Sequence, residues 1–356
     1  MAVNLVTKYQ GPLLKRFSLQ SITDPYAGKK FDFDGVQSIV VTTADQVSLN
    51  DYSRTASSNR FGTPAELGDT KQTLTMLQDR SFTFIIDAGN ASDQQYIKKA
   101  NDIIATNWDE VCVPEIDAYR LSKWANGAGL GALGTAPAVD TVHTLIATAT
   151  KDMNNKLVPR KNRVLFVSET VFLACKLGDK LLAVDSLAAQ SLARGAVGML
   201  DGMPVVPVPD SYMPTGVNFI IKYKDSTVDP LKLKTLRIHK NPAGIDGDLG
   251  ECRFYHDSFV LGTKVYGLYT HVSTGKGLAA PTLTNTENTI TFACTNSTGI
   301  KYTVDGSDPK TSATATTVLA AAYSTGVAIT AGQTLRAYAY GAGYVNSPIS
   351  ETSYVA

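Results

Sequence analysis

Between Ser92 and Gly127 the apolar positions recur at helical spacing. Tyr96, Ala100, Ile103, Ile104, Trp108 and Val111 share one face, while Lys98, Lys99, Asp102 and Asp109 point elsewhere. Ser92 followed by Gln95 predicts a capping-box start, and Gly127 predicts a stop. Pro114 removes a backbone donor and crowds the carbonyl of Glu110, which predicts a break or bend, after which Ile116, Tyr119 and Trp124 continue the stripe. At about 1.5 Å per residue the element would be roughly 50 Å long. That length suits a strut.

The pattern changes to period two before the strut. VQSIVVTTADQVSL leads out and TKQTLTMLQDRSFTFIID leads back, with Phe82, Phe84 and Ile86 alternating with their neighbours. The polar, Ser-rich NDYSRTASSNRFGTPAELGD between them predicts a long hairpin with an irregular tip. Such a hairpin is marginal alone and is expected to lean on something outside itself. The residues before it form an irregular arm carrying Lys8, Lys15, Arg16, Lys29 and Lys30 against Asp24. Its Gly11-Pro12 and Asp24-Pro25 steps argue against regular structure.

After the strut, Val142, Ile146, Ala149 and Met153 mark a second amphipathic helix. RVLFV predicts a buried strand, with Ser168 capping a further helix through Leu177. GMPVVPVPDSYMP, VNFIIKY, LKLKTLRIH, CRFYHDSFVL and KVYGLYTHV then predict strands, so the middle of the chain reads as α+β. Beyond STGKGLAAP, charge becomes sparse and short alternating strands such as TITFAC, IKYTVDGSDP and QTLRAYAY predict a separate small all-β sandwich. Gly275, Gly277 and Pro281 read as the linker to it.

At 356 residues and 44% hydrophobic, the chain can bury a sizeable core. Its formal net charge of +1 speaks against a dedicated polyanion binder. No apolar run approaches a bilayer span, and MAVNLVTKYQ lacks a signal-peptide core, so a chain made and used in the cytoplasm is expected. Cys112, Cys175, Cys252 and Cys294 are scattered and read as reduced thiols, and His143, His239, His256 and His271 lack metal-ligand spacing.

Three motif fragments point to chemistry without completing it. Gly129, Gly131 and Gly134 match GxGxxG but follow a helix, so they read as a flexible, closely packed connector. Asp246, Asp248 and Glu251 resemble part of a calcium loop and read as a turn between strands. Glu115 and Asp117, two apart on a helix, face different directions and make no acid–base pair. No catalytic, cofactor-binding or metal-binding residue is assigned, and an enzyme is not expected.

The order of elements and several blocks resemble the major capsid proteins of tailed bacteriophages with the Hong Kong 97 fold. The blocks run from RSFTFIIDAGNASDQQYIKKANDIIATNWDEVCVPEIDAYRLSKWA through RVLFVSETVF and GMPVVPVPDSYM to CRFYHDSFVLGTKVYGLYTHV, within residues 31–272. VPEIDAYR and FYHDSFVL are the most specific of them. The resemblance implies an N-terminal arm (1–34), an E-loop hairpin (35–88), a spine-helix P-domain with an A-domain (89–277) and, beyond these, residues 278–356. YTVDGSDPKTS and LRAYAYGAGYVNSPIS in that last segment resemble an Ig-like, chitobiase C-terminal-type surface domain.

Function follows as an expectation: a shell protein that assembles with copies of itself into hexamers and pentamers around double-stranded DNA, in the host cytoplasm, and resides in the virion. A separate scaffolding protein, a portal protein, weak non-specific DNA contact and a host-surface glycan on the last domain are the implied partners. The family's founding member cross-links Lys to Asn. Lys71 lies in the hairpin, but no motif identifies partners for it, so no cross-link is assigned. The alternative from another class is a carbohydrate-active or cell-surface-binding protein whose C-terminal module binds sugar.

Overall fold

The computed structural model describes residues 20–34, 37–44, 47, 49–55, 57–64, 66–89, 100–178 and 198–354. The capping pair Ser92 and Gln95 and most of the basic arm lie outside them. The arm's last residues make a 3-10 turn, Asp24–Tyr26, with Pro25 in its first turn, where a missing N–H costs nothing. Tyr26 and Ala27 are buried. This end of the arm, expected to be irregular, is a packed piece of the body.

Strands β1 (Asp32–Asp34), β2 (Ser38–Ala44) and β3 (Asp69–Thr75) form an antiparallel sheet in that order. Ile39 sits opposite Leu74, and Lys71 opposite Thr42. The expected outside support is present: Ile39 and Val41 bury against Val228 and Leu261 of the body. The return half of the expected hairpin divides, however. After Met76, whose N–H donates to Gln37 O at 2.8 Å, strand β4 (Gln78–Asp87) leaves the ribbon for another sheet. The reason lies in its alternation: Phe82, Phe84 and Ile86 gain burial beside Trp108, Cys112 and Ile103 that a polar partner strand could not offer.

The strut is α1 (Ala100–Asn107), a π-helical turn (Trp108–Cys112) and α2 (Val113–Gly127). In place of a break at Pro114 the helical backbone continues, with Cys112 and Val113 both in the right-handed helical region. An α-helix would ask residue 114 to donate to Glu110 O, and proline has no N–H to give. The wider turn accommodates this by letting Val113 N–H donate to Trp108 O, five residues back. Ile116, Leu121, Trp124 and Ala125 form the buried face of α2.

The body follows as β5 (Leu130–Gly134), α3 (Val142–Asn155), β6 (Arg163–Ser168), α4 (Glu169–Leu177), β7 (Gly198–Leu200), β8 (Met203–Val208) and β9 (Val217–Tyr223). Next come β10 (Thr227–Val228), β11 (Leu231–Lys240), β12 (Gly247–His256), β13 (Phe259–Val260) and β14 (Leu268–Ser273). Six of these strands make one mixed sheet, ordered β5-β14-β9-β6-β8-β7. Side chains of β6 alternate between two cores. Val164 and Phe166 meet Leu121 and Trp124 of the spine, while Leu165 and Val167 meet Ile146, Met153 and Phe172 of α3 and α4. As expected, the Ser168 hydroxyl caps α4 by accepting from Val171 N–H. The glycine run proves to be strand β5, paired in parallel with β14. Strands β11, β12 and β4 make the second body sheet, in that order.

The last segment contains β15 (Thr282–Thr286), β16 (Thr289–Ala293), β17 (Gly299–Thr303), β18 (Thr316–Leu319), β19 (Val327–Ala328), β20 (Thr334–Tyr340) and β21 (Ser350–Ser353). They form two sheets, β15-β16-β19 and β18-β17-β20-β21, around a core of its own that includes Ile290, Phe292, Ile300 and Leu335. The expected linker is not free: Gly277 pairs with Val345.

Candidate functional site: a buried clamp between arm, spine and body

The two most distinctive sequence blocks, VPEIDAYR and FYHDSFVL, meet in a buried polar network that holds the arm. Asp117, on the inner face of α2, is 1% exposed. Its carboxylate accepts from Ser21 Oγ at 2.7 Å, from Ile22 N–H at 2.8 Å and from the Thr23 hydroxyl. One turn on, Arg120 Nη1 donates to Thr23 Oγ1 at 3.1 Å and lies 3.5 Å from Asp24. Glu115 faces a different direction from Asp117, as the spacing of two predicts, and pairs with Arg80 at the surface.

A second carboxylate, Asp229, lies between β10 and β11. It accepts from Trp124 Nε1 at 3.0 Å, Gly28 N–H at 2.9 Å, Thr227 Oγ1 at 2.7 Å and the Ser258 hydroxyl. Lys222 Nζ stands 3.8 Å from it, donates to Tyr26 O at 2.6 Å and covers the Trp124 ring at 4.4 Å. Burial alone would raise the Asp229 pKa, but Lys222, Arg120 and the two hydroxyls outweigh it and hold it below the usual carboxylate range. Burial pulls Lys222 down to about 8 against the attraction of Asp229. A third carboxylate, Asp257, accepts from Tyr119 OH at 2.8 Å and from Leu77 N–H at 2.9 Å, tying the start of β4 to the spine.

Each of these acids takes at least one donor from a segment distant in sequence. The arrangement ties arm, spine and body together through buried, charge-assisted hydrogen bonds. The cavity beside it, about 220 Å³, lies between Ser21 and Asp24 of the arm, Trp108, Ile116 and Arg120 of the spine, and Leu231 of β11. Among the described residues no group of three or more His, Cys, Asp or Glu is placed to hold a metal ion, and Asp246, Asp248 and Glu251 lie on the β11–β12 turn and on β12. Among them, too, no helix is long and apolar enough to cross a membrane. The four cysteines are free, and burial pushes the Cys112 thiol up to about 11.

Sequence reasoning singled out Asp117 as not paired with Glu115 and missed its role, along with Arg120, Lys222, Asp229 and Ser258. The available signal was the conjunction of Asp, Arg and Lys with Trp124 inside otherwise apolar stripes.

Two histidines give this core an acid sensitivity. His256 is 1% exposed, stacked on Phe254 and edge-on to Tyr119 at 5.1 Å, while His271 stacks on Phe219 at 5.1 Å. Burial holds both below the usual histidine pKa; near His256, Glu115 and Asp257 oppose that shift without cancelling it. Unfolded, each titrates near ~6.5, so below that pH the unfolded chain takes up protons that the folded chain refuses. The stability they allow is complete above that pH and declines below it. The urea midpoint should therefore be lower at pH 5 than at pH 7.5, and the difference should narrow in His256→Phe.

No curated protein matches the chain in sequence. Residues 289–354 match the Fn3 associated family. Among solved structures, a chain from Mycobacterium phage Che8 superposes with a TM-score of 0.56 at 17% identity, covering 76% of this chain and 98% of that one. A chain from the mature capsid of bacteriophage PhiM1 gives 0.55 at 12% identity, with 76% and 92% covered. One from the capsid of cyanophage P-SCSP1u gives 0.57 at 12% identity, with 76% and 93% covered. The chain thus has the Hong Kong 97-type α+β fold of tailed-phage capsid chains over about three quarters of its length, followed by an Ig-like Fn3-associated module.

Proposed function

We propose that the protein is the major capsid protein of a tailed bacteriophage, a non-enzymatic subunit that assembles into the icosahedral shell enclosing double-stranded DNA. The observation that carries this reading is the extent of the fold match: this chain covers 92–98% of the phage chains just described, so the shared part is nearly the whole of each. Exposed apolar residues support it. On the segment between β2 and β3, Leu49 is 101% and Phe61 84% exposed, and Phe61 contacts the half-exposed ring of Tyr52 at 5.0 Å. Large side chains held in water at a loop tip gain their burial from another molecule, and neighbouring copies in hexamers and pentamers supply it.

The division into arm, E-loop ribbon, P- and A-domains and outward module belongs to the same proposal. So do a separate scaffolding protein, a portal protein, assembly in the host cytoplasm and residence in the virion. Near-neutral net charge suits a wall that DNA lines without adhering, since firm binding needs many phosphate contacts. Sedimentation velocity on the full chain, alone and with a scaffolding protein, tests assembly: capsomers and larger closed species are expected, and replacing Leu49 and Phe61 with serine should shift the population toward monomer. A glycan array tests the module as the part that meets host-surface sugar, and hydrolysis of any bound glycan would favour an enzyme instead.

A further inference from the structure

The seam between body and module is built in detail. Leu278 N–H donates to Val345 O at 3.1 Å and Val345 N–H to Lys276 O at 3.0 Å. Ile349 N–H donates to Gly129 O at 3.0 Å, and Asn346 N–H to Asn126 Oδ1 at 3.1 Å. Val345 and Ile349 join the apolar cluster that contains Leu121 and Trp124 of the spine, so the module shares the body's core. The glycine run finds its reason here. A Cβ on Gly131 would stand 2.6 Å from Thr270 O and 3.2 Å from Pro348 Cγ, and one on Gly129 2.9 Å from Val265 O. Bare backbone lets β14 and the module approach together.

Lys310 closes the seam. The last carbonyls of a helix lack intrahelical donors and carry the negative end of its dipole. Lys310 Nζ supplies the missing donor, bonding Asn126 O at 3.0 Å and Ala128 O at 2.6 Å at the end of α2, with the Tyr338 ring at 5.2 Å. Its loop is held by Asp308, 4% exposed, which accepts from Lys310 N–H at 3.1 Å and Thr311 Oγ1 at 2.8 Å. Burial pulls the ammonium down to about 7, with Asp308 opposing. On the other side of the seam, Glu351 accepts from Tyr266 OH at 2.7 Å and pairs with Arg336 at 3.2 Å and Lys156 at 3.8 Å.

We propose that this seam is a built-in docking site, in which the Asp308–Thr311 loop grips the C-terminal end of the spine helix and makes the module a rigid part of the subunit. The partner it fits is the body of the same chain, and the DPKT portion of YTVDGSDPKTS is the recognition element. A tethered appendage would need no lysine seated on helix carbonyls and no shared core.

The test is hydrogen exchange and calorimetry on the full chain, unassembled, so that it stands apart from any failure of shell formation. One cooperative unfolding transition is expected, with the seam amides of Leu278, Val345, Asn346 and Ile349 protected like body strands. In Lys310→Met, protection of Asn346 and Ile349 should fall by about tenfold or more, the effect of losing the amine that donates to two carbonyls, while Ile300 and Ala339 in the module's interior stay unchanged. Glu351→Gln should produce a smaller loss at the same amides, and it serves as the test if the lysine variant does not fold. Two separable transitions in the unmodified chain, or seam amides exchanging as fast as exposed loops, would overturn the proposal.

Discussion

Replacing Asp229 by alanine should destabilise the folded chain by about 3–5 kcal/mol, the largest single-residue effect expected here. The carboxylate is buried and satisfies four donors besides standing against Lys222. Its removal leaves an ammonium in the interior without its counter-charge and orphans Trp124 Nε1, Gly28 N–H and the hydroxyls of Thr227 and Ser258. Against a total stability of about 5–15 kcal/mol for a typical domain, that is a large share. Lys222→Met should cost less, because Asp229 would keep all four neutral donors. Combining Asp229→Asn with Lys222→Met should recover at least about 1 kcal/mol relative to the sum of the singles, the coupling expected of neighbours in one network. Urea unfolding at pH 7.5 measures all of these, and a shift under about 0.5 kcal/mol for the alanine variant, the size of an ordinary surface change, would remove the clamp from the account.

Asp117→Ala should act more locally, costing about 2–3 kcal/mol through three lost donors on one carboxylate. All three, from Ser21, Ile22 and Thr23, belong to the arm, so the variant should loosen that stretch of the arm and leave the body folded. Exchange of the Ile22 amide, which donates to Asp117, should accelerate by about 30-fold or more, the equilibrium factor for that loss. Exchange protection around Ile146 and Met153, in the core on the far side of the six-stranded sheet, should hold. If the arm is needed for contacts between copies, particle yield should drop in the same variant. Uniform destabilisation of body and arm together would show that Asp117 supports the core rather than the arm.

The elements legible in the chain were those whose side-chain period matches their burial. Val164–Val167 reads as a strand because both faces are buried, and α3 reads as a helix because Val142, Ile146, Ala149 and Met153 fall on one side. The division at Met76 was not legible. Period two continues through β3 and β4 alike, and what separates them is the Met76 bond to Gln37 and the pull of apolar surface on α1, both tertiary. Pro114 announced that the helix must depart from α geometry there; that the departure is a π-helical turn depends on Val113 bonding Trp108, which no single residue declares. The clamp was hidden for a related reason. Asp117, Asp229 and Ser258 lie in three separate segments, and an acid inside an apolar stripe shows only that it needs partners, not where they come from. The seam was hidden by composition: glycines and a linker-like STGKG suggested separation, while the contacts that join the module are made by residues some seventy positions further on.

The most direct test of the central claim is negative-stain electron microscopy of the purified protein, alone and co-expressed with a candidate scaffolding protein. Closed particles, tubes or ring-shaped capsomers are the predicted result. A field of uniform, compact monomers under every assembly condition would contradict it.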